Sequence, residues 1–190
     1  MGAASKTVLV LICSMIIAMQ MAHGVDESPE AVDKWFGELG QMEEKVTKFH
    51  FYLHDTVSGN GITSFTVAQP SPKLPNQFGQ INVLDDPLTI GPGLNSTILG
   101  RAQGIYLGAA LPAVDFLITW NFVFTSGKYN GSTLSVLAQD VQLQKYREMA
   151  IVGGSGIFRL ARGVATAQTY SFNTATLNAV LECHVVAIHY

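Results

Sequence analysis

The stretch V-D-F-L-I-T-W-N-F-V-F-T, residues 114–125, decides the fold. An apolar residue stands at every second position of it, namely Val114, Phe116, Ile118, Trp120, Phe122 and Phe124. Because successive side chains of a β-strand point to opposite faces, this alternation predicts a strand with one continuous apolar face. Turn residues at 126–131 and a second alternating run at 132–140 follow directly. So short an interval favours an antiparallel pair.

The same period of two extends over nearly all of the chain from residue 46 onward. The alternating runs are separated by turn signals at Ser58-Gly59-Asn60-Gly61, Asp85-Asp86-Pro87, Gly91-Pro92-Gly93 and Gly153-Gly154-Ser155-Gly156. About eight strands without intervening helices predict an antiparallel β-sandwich or a closed β-barrel, and the pattern by itself leaves both open. A barrel would pair its last strand with an early one, and it would enclose a space for a ligand.

Two segments precede the strands. Residues 1–24 combine Lys6, an apolar run at 8–18 and small residues at 22–24, which is typical of a secretory signal peptide; a retained N-terminal anchor is the alternative. Residues 25–45 form an N-terminal arm, in which Ser28 and Pro29 suit the start of a helix. A packed helix and a mobile arm are both compatible with this segment. Residues 46–190 are predicted to form one β domain.

Composition excludes several classes of protein. The chain has 11 basic and 14 acidic residues and no basic cluster, which argues against a nucleic-acid partner, and no run after residue 24 approaches the length of a membrane span. After the predicted signal peptide only Cys183 remains, so we expect a buried thiol and no internal disulfide framework. Glycosylation sequons begin at Asn95 and Asn130 in turn segments and support a secreted glycoprotein.

The usual catalytic signatures are missing from the sequence. The segment 153–157 differs from a nucleophile elbow because Ile157 replaces its last glycine, so it is better interpreted as a turn. His50 and His54 share one strand face but lie roughly 13 Å apart, which is too far for one metal ion. We therefore predict no metal site, with the histidines facing solvent or packing on aromatic rings.

A carboxylate ends an apolar face in the stretch K-F-H-F-Y-L-H-D-T, residues 48–56. Asp55 shares its face with Phe51 and Leu53, and Asp140 ends the face of the run at 132–140 in the same way. Arg147 begins a third such face. Two carboxylates and a guanidinium at one barrel mouth could form an acid/base site, because burial raises a carboxyl pKa and a nearby cation lowers it. The alternative is that the aspartates cap turns and Arg147 only forms an ion pair.

Tyr106 lies on a strand face that otherwise carries only small residues, namely Gly100, Ala102, Gly104 and Gly108. Side chains without bulk leave room, so the phenol could project into a ligand cavity. The alternative is that the glycines accommodate twist or a bulky neighbour across the sheet.

Several stretches in order make the chain resemble the dirigent protein family of plants. They are Phe51-Tyr52-Leu53-His54-Asp55, Gly100-Arg101-Ala102-Gln103-Gly104, Gly127-Lys128-Tyr129-Asn130-Gly131-Ser132-Thr133-Leu134, Tyr146-Arg147-Glu148-Met149, Ile151-Val152-Gly153-Gly154-Ser155-Gly156 and Ala161-Arg162-Gly163. The resemblance implies an eight-stranded antiparallel β-barrel that forms a homo-oligomer, a trimer or a dimer. It also implies N-glycosylation and secretion to the plant cell wall, the apoplast.

The resemblance further implies a role in which the protein steers a coupling reaction without oxidising anything and without a cofactor. A separate laccase or peroxidase would convert monolignols such as coniferyl alcohol to phenoxy radicals, and the barrel would hold two of them so that one lignan stereoisomer forms. In that family the pocket residues fall on Asp55, Asp140, Arg147 and Tyr106. The aspartates would assist cyclisation of a quinone methide, Arg147 would tune them, and Tyr106 would contact the ligand.

Two departures put the product in doubt. Cys183 has no partner such as some members provide, and Gly108 stands where pinoresinol-forming members often carry an aromatic residue. One alternative is a pterocarpan-synthase-like isomerase or dehydratase that closes a quinone methide derived from an isoflavonoid. Another is a secreted ligand-binding defence barrel without chemistry.

Overall fold

The computed structural model describes residues 25–190, so the signal peptide predicted over residues 1–24 lies outside the described residues. One α-helix, α1 (Pro29–Glu38), comes first and runs into a 3₁₀ turn at Leu39–Gln41. The nine strands of this part are β1 (Lys45–Asp55), β2 (Ser64–Ala68), β3 (Ile81–Thr89), β4 (Ile98–Gly108), β5 (Asp115–Phe124), β6 (Thr133–Val141), β7 (Arg147–Ser155), β8 (Arg162–Phe172) and β9 (Ala179–His189). None of the helices in residues 25–190 is both long and apolar enough to cross a membrane.

Eight of these strands close into an antiparallel barrel. From β3 to β9 each strand pairs with the next, and β9 pairs with β1 along its whole length, from Lys45↔His189 to Asp55↔Ala179. The ring closes where β1 also pairs with β3. The short strand β2 pairs only with β3 and lies beside the ring. The closed barrel, which the pattern had left open beside a sandwich, is thus confirmed.

The helix begins where the sequence predicts it. Ser28 caps it by accepting a hydrogen bond from the Ala31 amide at 3.3 Å, and Pro29 occupies a first-turn position where its missing N–H costs nothing. None of its side chains is fully buried, but the Trp35 ring contacts Tyr190 edge to face at 6.3 Å. The Arg159 guanidinium lies 5.0 Å from the same ring. The N-terminal arm therefore includes an ordered helix that packs on the barrel through one aromatic side chain.

Strand β5 supplies the largest part of the core. Phe116, Ile118, Trp120, Phe122 and Phe124 are all buried, as their alternation predicts. At the end of the barrel where β5 finishes, four rings close the interior: Phe49, Phe124, Tyr129 and Phe158, called here the aromatic end. Cys183 is a free, buried thiol on β9, as predicted, and its burial raises its pKa to about 12.

The turn predicted at Asp85-Asp86-Pro87 is wrong, because these residues lie within β3. Proline is tolerated there for a local reason. The Asp85 amide donates to the Thr63 carbonyl beside β2, so the Pro87 nitrogen, two residues on, faces the same side. No strand pairs with β3 on that side at Pro87, because the pairing with β2 stops at Leu84 and the pairing with β1 starts only at Leu88. The missing N–H of Pro87 therefore leaves no bond of the ladder unmade.

Candidate functional site at the acidic end of the barrel

The barrel end opposite the aromatic end carries charged side chains on its inner face. Strands β1, β4 and β6 finish there, and β5, β7 and β9 begin there, since all neighbours are antiparallel. The residues on the same strand faces as the core are Asp55, Asp86, Tyr106, Asp140 and Arg147, and we call this region the acidic end.

Asp55 and Asp86 form a carboxyl pair between β1 and β3. The pairing Leu53↔Leu88 places Asp86 opposite Asp55 when the antiparallel register is continued by two residues. Asp86 is fully buried, and its Oδ1 accepts a hydrogen bond from the Thr63 hydroxyl at 2.6 Å. Burial raises the pKa of Asp86 to about 8, with a further rise from the Asp55 charge, and burial raises the pKa of Asp55 to about 6. At neutral pH the pair therefore holds about one proton, mainly on Asp86.

Tyr106 joins this pair through Ser64. The hydroxyl groups of Tyr106 and Ser64 lie 3.2 Å apart, and Ser64 also hydrogen-bonds the Asp55 carboxylate, which opposes the rise of its pKa. Burial and then the Asp55 charge raise the pKa of Tyr106, so the phenol stays protonated. The Tyr106 ring contacts Phe116 edge to face at 5.2 Å, which fixes its position on the inner wall.

Asp140 and Arg147 form a buried ion pair between β6 and β7. Arg147 Nη1 lies 3.3 Å from Asp140 Oδ1, and the two residues are only 3% and 5% exposed. Gln142 donates to Asp140 Oδ2 at 2.5 Å, and Arg147 Nη2 donates to the Thr169 hydroxyl at 3.1 Å. Burial raises the pKa of Asp140 while the Arg147 charge opposes the rise. The guanidinium thus keeps this carboxyl more acidic than burial alone would.

The two sets face each other across the barrel. Going around the ring, β9 and β8 separate β1 from β7 on one side, and β4 and β5 separate β3 from β6 on the other. The four residues predicted as a site thus share one barrel end, but as two groups. Arg147 contacts Asp140, and Asp55 is linked to Tyr106 through Ser64. A ligand that enters this end would have an acid group on each side.

Several buried polar atoms at this end have no hydrogen-bond partner within residues 25–190. They are Oδ1 of Asp55, Oδ2 of Asp86, Oδ1 of Asp140 and Nε of Arg147. The Asp140 oxygen has only its ion-pair contact with Arg147. Since buried polar groups are normally paired, these four atoms mark the acidic end as a place where polar groups stay unsatisfied within the described residues.

Asp55 also borders a cavity that opens to the outside. The cavity has a volume of about 280 Å³, and it lies beside the junction of β1 with β9. Its walls include Thr56, Ser171, Phe172 and Asn178, so it is partly polar and has one aromatic side chain. Asp55 therefore contributes to the wall of a cavity at the rim as well as to the inner face of β1.

Sequence reasoning missed Asp86. The turn predicted at this position concealed the fact that Asp86 alternates with Leu84 and Leu88, both of which are buried. That alternation was the signal that could have found it, because it is the pattern that singled out Asp55. Pro87 interrupts the expected composition of a strand and hid the signal.

The open space predicted beside Tyr106 is also corrected. A Cβ atom added to Gly104 would lie 2.3 Å from the Thr119 carbonyl oxygen and 2.5 Å from Trp120 Cα. One added to Gly108 would lie 2.1 Å from the Gln77 carbonyl oxygen. The small residues of β4 therefore leave room for neighbouring backbone, and at Gly104 for the bulky Trp120 across the sheet, which agrees with the bulky-neighbour alternative.

Three of the four histidines in residues 25–190 match the predicted environments, and His54 does not. His189 is buried against the Phe158 ring at 5.0 Å. His54 is also buried, but it hydrogen-bonds the Thr89 hydroxyl at 2.7 Å. It therefore has neither of the two predicted environments, solvent or an aromatic ring. His50 and His184 are exposed and stack on each other with ring centroids 4.4 Å apart.

Comparison with known proteins identifies this architecture. A family model described as dirigent-like protein matches residues 46–188. The chain is 43% identical to pterocarpan synthase 1 of Glycyrrhiza echinata over 155 residues, which is 80% of this chain and 82% of the relative. It is 43% identical to dirigent protein 1 of Arabidopsis thaliana over 152 residues, or 79% and 82% of the two chains. A solved structure of a pterocarpan synthase dirigent protein superimposes with a TM-score of 0.74 at 43% identity, covering 78% of this chain and 87% of that chain.

Proposed function

Because the chain belongs to the dirigent-like protein family, we propose that its acidic end holds a phenolic quinone methide and directs its cyclisation by proton transfer. The observation that carries this proposal is the buried Asp55–Asp86 pair. Its two carboxyl groups differ in pKa around neutral pH, and the pair faces the Asp140–Arg147 ion pair across the barrel. Environments that separate the pKa values of two carboxyl groups provide one acid and one base in the same site.

The reaction moves one proton and needs no change of oxidation state. A ligand hydroxyl oxygen attacks the electrophilic carbon of the quinone methide, and a C–O bond forms. The hydroxyl proton goes to an ionised carboxylate, while the carbonyl oxygen of the quinone methide takes a proton and becomes a phenol. In each ring closure Asp86 would donate one proton, either Asp55 or Asp140 would accept one, and Arg147 would position Asp140. Exchange of a proton through solvent would then return Asp86 and the acceptor to their starting states. Tyr106, which stays protonated, would donate a hydrogen bond to a ligand oxygen.

The first setting for this step is lignan formation. A separate laccase or peroxidase would produce phenoxy radicals from a monolignol such as coniferyl alcohol, and the barrel would hold two of them during coupling. Orientation of the two partners between the facing walls would then select one stereoisomer, since positioning controls the geometry of bond formation. In this setting the protein is an auxiliary that does not oxidise its ligand.

A second setting is favoured by two observations, the 43% identity to a pterocarpan synthase and the superposition with a solved structure of that kind. Here the protein would be an isomerase or dehydratase that acts on an isoflavonoid. An acid would first protonate the leaving hydroxyl while a carboxylate takes the proton of the ligand's phenol, so that water departs and the neutral quinone methide forms. The same residues would then assist ring closure.

Products distinguish the two settings. In one arm, coniferyl alcohol and a one-electron oxidant are incubated with and without the protein, and the lignans are separated by chiral chromatography. In the other arm, an isoflavanol is supplied without oxidant and pterocarpan formation is followed. Enantiomeric excess in the first arm supports the lignan setting, and turnover in the second supports the isoflavonoid setting. Inactivity in both arms contradicts the proposal and favours a ligand-binding barrel.

The residues are tested in whichever arm is active. We expect Asp86→Asn, Asp55→Asn and Asp140→Asn each to lower the rate or the stereoselectivity by about 100-fold or more, which is the usual contribution of an acid or base. Asp85→Asn is the matched control, because Asp85 is the exposed neighbour on the opposite face of β3 and bonds Arg101 and Gln103. Full activity of all three variants would contradict the proposed site.

Export and glycosylation belong to the same proposal. The sequon residues Asn95 and Asn130 are both exposed at turns, so the fold can carry a glycan at either one. We expect the secreted protein to begin near residue 25 and to lose mass on deglycosylation. N-terminal sequencing and mass spectrometry of the protein from a plant cell-wall extract test both expectations, and size measurement of the same sample tests the expected homo-oligomer.

A further inference from the structure

Three potential metal ligands converge on the outer face of the barrel. His50 on β1 and His184 on β9 are directly paired, and Glu182 lies two residues before His184 on the same face. His50 Nε2 is 2.7 Å from Glu182 Oε1, and His184 Nε2 is 3.8 Å from the same oxygen. One ligand atom from each of the three residues lies within 4.8 Å of the others. No group of histidines with a carboxylate was evident from the sequence, which therefore predicted no metal site, whereas the register of β1 and β9 brings Glu182 to these histidines.

The carboxylate of this group is held in place by its neighbours. Gln168 on β8 donates to Glu182 Oε2 at 2.6 Å, and the Tyr52 hydroxyl donates to Oε1 at 3.2 Å. An ionised, oriented carboxylate beside two imidazoles is the donor set that Zn²⁺ and neighbouring divalent ions prefer.

We propose that His50, Glu182 and His184 bind a divalent transition-metal ion on the outside of the barrel. In a tetrahedral site with metal–nitrogen distances of about 2.0 Å, the ligand atoms lie about 3.3 Å apart. The two separations from Glu182 Oε1, 2.7 Å to His50 Nε2 and 3.8 Å to His184 Nε2, lie on either side of this value. The imidazoles of His50 and His184 stack on each other with an interplanar angle of 10°. Because they are 46% and 57% exposed, they can turn out of this stacked arrangement to face one ion.

The site is separate from the acidic end. Its ligands lie on the outer face of β1 and β9, while Asp55 lies on the inner face of β1. His54 shares the outer face with His50, but it is buried and bonded to Thr89, so it is not a ligand. A bound ion would connect β1 to β9, and three protein ligands leave one position for water or an external ligand.

The test uses the purified protein without a polyhistidine tag and after dialysis against chelator. Calorimetric titration with Zn²⁺ is expected to show one site per chain, together with a rise in the thermal midpoint, because an ion that binds only the folded state stabilises it. His50→Ala, His184→Ala and Glu182→Gln are each expected to weaken binding by at least about tenfold. Glu148→Gln is the matched control, an exposed carboxylate on the outer face of β7.

A second measurement identifies the donor atoms. Electron paramagnetic resonance of the Cu²⁺-loaded protein is expected to show coupling to two imidazole nitrogens, and to one in the His184→Ala variant. Circular dichroism confirms that each variant is folded. Lack of saturable one-to-one Zn²⁺ binding in the unmodified protein would overturn the proposal. So would unchanged affinity in the double variant His50→Ala with His184→Ala, since the ion would then be bound elsewhere.

Discussion

The two ends of the barrel are made by the same strands but use buried side chains of opposite chemistry. At the aromatic end the rings of Phe49 and Phe124 stack with centroids 4.7 Å apart, and Phe158 packs against both and is fully buried. At the acidic end Asp86 is as deeply buried as Phe158, and Arg147 is nearly so. Burial of rings contributes to stability, whereas burial of charge opposes it.

The difference assigns separate tasks to the two ends. The aromatic end stabilises the fold and closes the barrel, because its apolar groups lose nothing when they leave water. The acidic end carries carboxyl groups with raised pKa values and unpaired polar atoms, which is unfavourable for folding alone. Such groups are what a proton-transfer site requires. The predictions below test this division, beginning with the largest effect.

Removal of a ring at the aromatic end is expected to cost the most stability. Phe158→Ala deletes a fully buried side chain that contacts Phe49, Phe124, Tyr129 and His189. The expected loss in free energy of unfolding is about 4 kcal/mol, from lost burial and the cavity left behind. Denaturant unfolding measures it. At a temperature where the variant is folded, the activity attributed to the acidic end should persist, and its loss would contradict the division.

At the acidic end, breaking the ion pair is expected to cost slightly less. Arg147→Met leaves Asp140 buried without its cation, and the expected loss is about 3 kcal/mol at neutral pH. The double variant Asp140→Leu with Arg147→Met removes both charges and should regain most of that stability while it abolishes activity. Denaturant unfolding of both variants gives the comparison. If the double variant were no more stable than Arg147→Met alone, the unpaired carboxyl group of Asp140 would not be the reason for the instability.

The strands could be predicted from the sequence because their pattern is local. The alternation of β5 specifies which side chains are buried, and the same rule identified Asp55, Asp140 and Arg147 as charges on inner faces. Closure of the barrel could not be derived from alternation, since it depends on β1 pairing with both β3 and β9. Those pairings join residues far apart in the chain. The pattern left the barrel open beside a sandwich, and the family resemblance favoured the barrel.

The composition of the candidate site was predicted less completely. Asp86 was missed because Pro87 normally indicates a turn, and the gap between β2 and β1 that tolerates this proline is a tertiary feature. The grouping of Asp55 with Asp86, and of Asp140 with Arg147, depends on strand order around the ring. Likewise, the meeting of His50 with His184 and Glu182 follows from the register of two strands more than 130 residues apart in the chain.

The buried carboxyl pair predicts how stability depends on pH. The pKa of Asp86 is raised to about 8 in the folded protein, so above the unfolded pKa of 3.8 the unfolded chain holds fewer protons than the folded one. Stability from this group is full below that unfolded value and is lost as the pH rises through 8, by about 2 kcal/mol between pH 6 and pH 8. Asp86→Asn should remove that part of the loss.

Urea unfolding at several pH values measures this effect. Asp85→Asn is the control and should keep most of the pH dependence between pH 6 and pH 8, because Asp85 is exposed on the other face of the strand and its charge is the smallest cause of the raised pKa of Asp86. Phe158→Ala should also keep it, since its effect is not linked to protons. If Asp86→Asn had the same pH dependence as the unmodified protein, the Asp86 carboxyl group would not hold a proton in the folded state.

The smallest effect concerns the hydroxyl pair that links Tyr106 to Asp55. Tyr106→Phe keeps the ring against Phe116 but removes the 3.2 Å contact with Ser64, which should cost about 1 kcal/mol of stability. Ser64→Ala should cost a similar amount, and the double variant should cost less than the sum, because both substitutions remove one interaction. A strictly additive result would mean that the two hydroxyl groups act independently. In that case Ser64 would not connect the phenol to the carboxyl pair, and Tyr106 would contribute to the acidic end only through its ring.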